Sequence, residues 1–378
     1  MKYYCRDQFK TLHIRSTNAG QVLVSPCCAA QTEPVVAEDF DFELNSFLDQ
    51  TRQHALDDKP APACSNCWRQ EQQNPPSRRY FSNQNGGEDI KVELNRVDIT
   101  TQNVCNLACI MCSSYSSSLW AKEEGLTDQD YSFEDKLKLF RKLDHSNIYQ
   151  MHFTGGEPLM STEHLRMLNI YAETVPLKQL HISYNTNGTF FPDQKVLDAW
   201  AQVKAIDLVI SLDGTGPAAE LIRWPCNWEE VSNNVKKFIT LRDTMPHLKV
   251  GFISCASNYN LWELADVIEF VRSQDPTLTV HFQVNHRPYF APTLIPDKMR
   301  QLVLDRLSQY KDLENLLPTI QTPMSQRQQF AEWITYFRVM NEMDKKRGSN
   351  WAETLELGKY TVDLPHTTIY NNVSRRTQ

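Results

Sequence analysis

The chain has 378 residues, 41% of them apolar and only 31 of them Gly or Pro, which excludes a disordered, collagen-like or low-complexity polypeptide. Its 39 basic and 46 acidic residues give a formal charge of −7, so no basic field exists for nucleic acid or an anionic membrane. No apolar run of about 18 residues occurs and the N-terminus lacks the apolar core of a secretory signal, which predicts a cytoplasmic protein with no membrane partner.

Residues 1–76 are short segments punctuated by Pro and rich in Cys. Residues 11–15 and 21–24 read as a hairpin turning at 18–20 and leading into Pro26-Cys27-Cys28. Phe40, Leu44, Phe47 and Leu48 recur at helical spacing, and Pro60 and Pro62 end that helix before Cys64-Ser65-Asn66-Cys67. Residues 77–94, with the preceding Pro75-Pro76 and with Asn85-Gly86-Gly87, read as a linker.

From residue 95 the pattern becomes strand–helix alternation. Strands are predicted near 96–100, 149–154, 179–185, 206–212, 248–254 and 279–285, and helices near 133–143, 162–174, 193–202, 228–243 and 261–273. Six such units predict an α/β fold over 95–290, a partial (βα)6 barrel of the TIM type. His181, Ser183 and Asn185 share one face of their strand, as do Asp207, Ser211 and Asp213, and His281, Gln283 and Asn285. Parallel sheets are normally apolar on both faces, so a polar face predicts either the wall of a ligand cavity or polar pairs that satisfy each other. Residues 291–378 read as a helical extension, with helices near 297–311 and 326–345 and a frayed tail after Pro365.

Eight of the ten cysteines lie in the first 112 residues. In a reducing compartment closely spaced cysteines are better read as metal or cluster ligands than as disulfides. Cys105, Cys109 and Cys112 form C-x3-C-x2-C directly after the first barrel strand. Three thiolates on one loop can hold three irons of a cubane, leaving the fourth iron open to another ligand. Zinc usually recruits four ligands in paired C-x2-C spacing, which this loop does not show.

With this loop the sequence resembles the radical S-adenosylmethionine superfamily over about residues 95–290. The resemblance implies that Cys105, Cys109 and Cys112 hold a 4Fe-4S cluster whose open iron binds S-adenosylmethionine. Thr154-Gly155-Gly156-Glu157-Pro158 stands where that family touches the cofactor's amino group, with Gly155 and Gly156 allowing close approach and Glu157 accepting from an ammonium. Asn185 or Asn187 is implied near the ribose, Ser211 near the ribose or carboxylate, and Arg223 as a partner of the carboxylate. The N-terminal stretch resembles the Cys-rich twitch or shortened SPASM domain. That likeness implies an auxiliary 4Fe-4S cluster on Cys5, Cys27, Cys64 and Cys67, with Cys28 the alternative to Cys27 and zinc the alternative metal.

The activity so implied is reductive cleavage of S-adenosylmethionine to a 5′-deoxyadenosyl radical, which oxidises or crosslinks a peptide or small molecule by hydrogen abstraction. A flavodoxin or ferredoxin would donate the electron. No leader-binding winged helix is expected ahead of the Cys-rich region, which counts against a peptide substrate. The competing reading is a non-catalytic iron–sulfur or zinc-binding scaffold or sensor.

Overall fold

The computed structural model describes residues 1–17, 20–72, 77–84, 86–126 and 133–361; the hairpin turn at 18–19, Pro75-Pro76, Asn85 and the tail after Pro365 lie outside the described residues. Among the described residues nine strands build one sheet: β1 (Thr11–Ser16), β2 (Val22–Ser25), β3 (Glu33–Pro34), β4 (Arg96–Thr100), β5 (Gln150–Thr154), β6 (His181–Thr186), β7 (Ala205–Ser211), β8 (Leu248–Ala256) and β9 (Val280–Val284). Their order is β3-β2-β1-β4-β5-β6-β7-β8-β9, so the sheet is open, with β3 and β9 at its edges. All neighbours from β1 through β4 to β9 are parallel, and only β1–β2 and β2–β3 are antiparallel. This is an unclosed α/β barrel, with the helices on the outer face of the sheet.

The alternation along the strands explains that placement. Ile182, Tyr184, Ile206, Leu208 and Ile210 point outward and are fully buried under the helices, with Tyr184 packed between Phe153 and Trp200 at 5.2 and 5.4 Å. The intervening residues of β6 and β7 are half-buried on the inner face. Side-chain caps start the covering helices: Asp193 accepts from the Val196 N–H, and Asn227 from the Glu230 N–H.

The N-terminal stretch shares its sheet with the barrel strands. β1 forms the expected hairpin with β2, but its other edge pairs in parallel with β4, from Thr11 opposite Arg96 to Ile14 opposite Ile99. Residues 77–94 contain the helix Arg78–Gln84. The chain then enters β4 beside the helix that precedes β1, with the Glu93 and Asn95 amides donating to the Phe9 and Lys10 carbonyls. The alternating Thr-Leu-His-Ile-Arg of β1 is a barrel-strand pattern, with Leu12 and Ile14 fully buried on the outer face.

The C-terminal extension contains the helices Asp297–Leu307 and Gln326–Arg347. Gly348 ends the second at φ +66°, the left-handed cap that favours glycine. Trp333, Tyr336, Phe337 and Trp351 pack on one another as an edge-to-face and stacked cluster, and Tyr336 meets Phe290 of the barrel end at 6.1 Å. No helix of the described residues is long and apolar enough to cross a membrane.

Candidate active site

β4 delivers the chain to the cysteine loop at the C-terminal end of the sheet. The buried Lys136 holds the end of that strand by donating to the Thr100 and Thr101 carbonyls, and its burial lowers its pKa to about 7. Cys109 is buried, and Cys105 and Cys112 are half-buried. Burial raises all three thiol pKa values, that of Cys105 to about 11, so each thiol stays protonated until a metal displaces its proton. The loop backbone is tied to its surroundings: Ala108 and Ile110 N–H donate to the Trp224 and Ile222 carbonyls at 2.7 and 2.9 Å, and Trp120 Nε1 donates to the Cys109 carbonyl at 2.8 Å. Arg287, just after β9, donates to the Cys112 carbonyl at 3.1 Å.

The glycine turn after β5 packs directly on the segment entering this loop. The Gly156 N–H donates to the Gln102 carbonyl and the Glu157 N–H to that of Val104, at 2.7 and 2.8 Å. A Cβ on Gly155 would fall 2.3 Å from the Gln102 oxygen, and one on Gly156 would fall 2.1 Å from the Val104 oxygen. The close approach that requires these glycines is therefore made by the protein's own cysteine segment. Glu157 is likewise held by the protein's own groups. Its carboxylate is turned inward, with Oε1 accepting from Thr186 Oγ1 and the Leu159 N–H, and Oε2 from the Asn187 N–H. It fastens the end of β5 to the end of β6, and burial lifts its pKa to about 7.

Asn187 belongs to the same bracket rather than facing outward. Its Nδ2 lies 3.8 Å from Cys105 Sγ and 3.0 Å from Asn106 Oδ1, and Asn106 in turn donates to Thr189. Arg223, expected to face a free carboxylate, is buried and pairs with Asp213 at 2.6 Å. Asp213 also accepts from the Cys255 N–H and Ser254 Oγ. The pair raises the Arg223 pKa beyond its ordinary value. Arg223 Nε has no hydrogen-bond partner although it is buried near Cys109, so one donor remains for an anionic group at the loop. Asn185 and Ser211, on the inner face at the same end of the sheet, make no side-chain hydrogen bond among the described residues.

The rest of the inner face largely satisfies itself. Arg96 pairs with Asp98 at 2.5 Å, His181 with Asp207 at 2.8 Å, and His152 Nδ1 bonds Ser183 Oγ at 2.7 Å. Arg223 Nε, Asn185 and Ser211 thus stand unpaired at the C-terminal mouth beside the cysteine loop, where parallel α/β folds bind ligands.

The four N-terminal cysteines also meet. Cys5, Cys27, Cys64 and Cys67 line one pocket with Ala29, Ala30, Trp68, Arg78 and Arg79, while Cys28 is exposed and outside its lining. Among the described residues no group of three or more His, Cys, Asp or Glu side chains is placed to hold a metal ion. Zinc needs its sulfurs about 2.3 Å from one centre. A four-iron cubane takes one thiolate at each corner iron and spreads them farther apart, and its anionic charge suits two arginines in the wall. Arg78 also donates to Asp7 at 2.9 Å and lies 3.6 Å from Asp98 of the barrel wall, joining pocket and sheet.

A family model described as the Radical SAM superfamily matches residues 99–271, the span that carries the cysteine loop and the glycine turn. The chain carries a radical SAM domain. Two curated relatives are similar to it: GTP 3′,8-cyclase of Parasynechococcus marenigrum (strain WH8102), 32% identical over 131 residues, and GTP 3′,8-cyclase of Synechococcus sp. (strain CC9902), 30% identical over 125 residues. Those alignments cover 32% and 33% of this chain, and the chain spans about a third of either relative, 34% and 33%. Among solved structures, anSMEcpe with bound AdoMet aligns at TM-score 0.42 and 17% identity, covering 61% of this chain and 60% of that one. SuiB of Streptococcus suis aligns at 0.39 and 13%, covering 79% and 69%.

Proposed function

We propose that this radical SAM domain works as an enzyme on a peptide or small molecule held against the inner face of the sheet. Cys105, Cys109 and Cys112 would hold a 4Fe-4S cluster with one open iron, and Cys5, Cys27, Cys64 and Cys67 an auxiliary 4Fe-4S cluster. The observation that carries this reading is the joining of the cysteine loop to the glycine turn at the C-terminal ends of β4 and β5, with unpaired polar groups beside them. When bound, the first cluster and S-adenosylmethionine supply reductive C–S cleavage and hydrogen abstraction from substrate.

The chain's own residues prepare that site. Asp213 fixes Arg223 so that its free Nε points to an anion at the loop, such as the carboxylate of S-adenosylmethionine. Asn185 and Ser211 offer hydrogen bonds to a ribose from the inner face. Glu157, Asn187 and Asn106 hold the loop that presents Cys105. The outer helices and the C-terminal extension keep water from the back of the loop. A flavodoxin or ferredoxin serves as electron donor, and the auxiliary site as electron acceptor for a net oxidation.

The test is 5′-deoxyadenosine formation from S-adenosylmethionine by anaerobically reconstituted protein with a chemical reductant. Turnover is expected in the wild type and none in Cys105→Ala/Cys109→Ala/Cys112→Ala. Equal turnover in the triple variant would end this reading. A wild type that is inactive yet binds metal would leave a scaffold or sensor.

A further inference from the structure

We propose that the C-terminal extension is part of the first site and that Arg347 is a positioning residue, holding the Cys105–Cys112 loop from behind. The proposal rests on the reading of Cys105, Cys109 and Cys112 as cluster ligands. Arg347 is the last residue of the 22-residue helix Gln326–Arg347, and its side chain is only 2% exposed. Its guanidinium lies 4.8 Å from the Trp120 ring and 5.0 Å from the Trp224 ring. Glu123 fixes it there by accepting from Nε at 3.3 Å and from the second terminal nitrogen at 3.1 Å.

Both indole residues hold the cysteine loop itself. Trp120 Nε1 donates to the Cys109 carbonyl, and the Trp224 carbonyl accepts the Ala108 N–H. These two bonds grip the peptide groups that flank the Ala108–Cys109 peptide inside the C-x3-C-x2-C segment. Three stretches distant in sequence, ending at Glu123, Trp224 and Arg347, thus converge on one planar cation.

The chemistry of the clamp follows from the shapes. A guanidinium is flat and can meet aromatic faces while its edge serves a carboxylate, whereas an ammonium is a compact charge that cannot do both equally well. A second contact keeps the extension in place at the same end of the barrel: Glu263, at the start of the helix Leu264–Gln274, accepts the Glu356 N–H at 3.0 Å. Trp351 packs on Tyr336 just beyond the clamp, and its N–H donates to the Asp344 carboxylate of the same helix. Tyr336, before Arg347 on the helix, meets the Phe290 ring edge to face at 6.1 Å, so the extension is docked on both sides of Arg347. Both bonds made by the clamped tryptophans end on the loop that carries the three cysteines, so loss of the clamp loosens the ligand geometry more than it loosens the fold.

The experiment compares wild type with Arg347→Ala and Arg347→Lys by amide hydrogen exchange on iron-free protein, and by the rate of iron loss to a ferrous chelator on reconstituted protein. In Arg347→Ala the Ala108 and Ile110 amides should exchange about tenfold faster or more, while amides in β6 and β7 keep their protection. Iron bound by Cys105, Cys109 and Cys112 should leave faster, and the EPR signal of the reduced first cluster should broaden. Arg347→Lys should fall between the two. If Arg347→Ala does not fold, Arg347→Lys and Glu123→Gln carry the comparison, because they keep the side-chain volume. A lowered melting point with unchanged exchange at Ala108 and Ile110 would show that Arg347 serves only helix packing, and would overturn the proposal. A wild type whose iron content is insensitive to Cys105→Ala/Cys109→Ala/Cys112→Ala would instead overturn the cluster reading, and exchange on iron-free protein would still decide the clamp.

Discussion

Glu157 and Gly156 carry their burdens toward the protein, and this changes what their substitution should do. Glu157→Gln places an NH2 where the Asn187 N–H or the Thr186 hydroxyl now donates, setting donor against donor in a buried bracket. The expected cost is about 1–3 kcal/mol, read as a lower melting temperature without any cofactor present. An unchanged melting temperature would return Glu157 to a purely cofactor-facing role. Gly156→Val should be harsher still, since its Cβ would drive into the Val104 carbonyl. The loss expected is of iron retention and fold stability together, not of S-adenosylmethionine affinity alone. The sequence made the order of cysteine loop and Gly-Gly-Glu-Pro turn plain. It did not reveal which neighbour the glycines make room for, because that neighbour, Gln102 to Val104, is itself irregular chain with no periodic signal.

At the level of elements, strand positions were legible because apolar and polar residues alternate cleanly in β6 and β7. What escaped was β1's second partner: a single amphipathic strand looks the same whether it ends a hairpin or extends a barrel. Arg347 and its neighbour Trp120 were also missed, since Arg347 reaches its partner Glu123 across 224 residues of sequence. The helix Glu163–Ala172 gives a pH test of its packing. His164 is fully buried between Phe153 and Tyr184, and burial lowers its pKa to about 4. Its folded pKa lies below the unfolded value, so the unfolded state binds the extra proton between about pH 6.5 and pH 4 and stability falls as pH falls through that window. Wild type should lose up to about 3 kcal/mol there through this residue. His164→Phe should flatten that part of the stability–pH curve in denaturant melts. An unchanged slope would mean that the imidazole titrates with water access.

The whole molecule is one sheet with a cysteine site at each end of its chemistry. Because β1 covers the edge of β4, deleting residues 1–76 should not release a barrel that folds alone. It should expose a row of unpaired backbone groups on β4 and yield aggregated protein. A soluble, monomeric truncation with the native melting temperature would contradict that view of the fold. The paired β1–β4 edge also places the Cys5, Cys27, Cys64 and Cys67 pocket against the barrel wall through Arg78 and Asp98.

The claim that two separate cysteine sets each hold a cubane is tested most directly by iron per chain after anaerobic reconstitution. Wild type should bind about eight irons. Cys64→Ala/Cys67→Ala and Cys105→Ala/Cys109→Ala/Cys112→Ala should each retain about four. A wild-type count near four together with one zinc would contradict the auxiliary cluster, and a triple variant with undiminished iron would contradict the first.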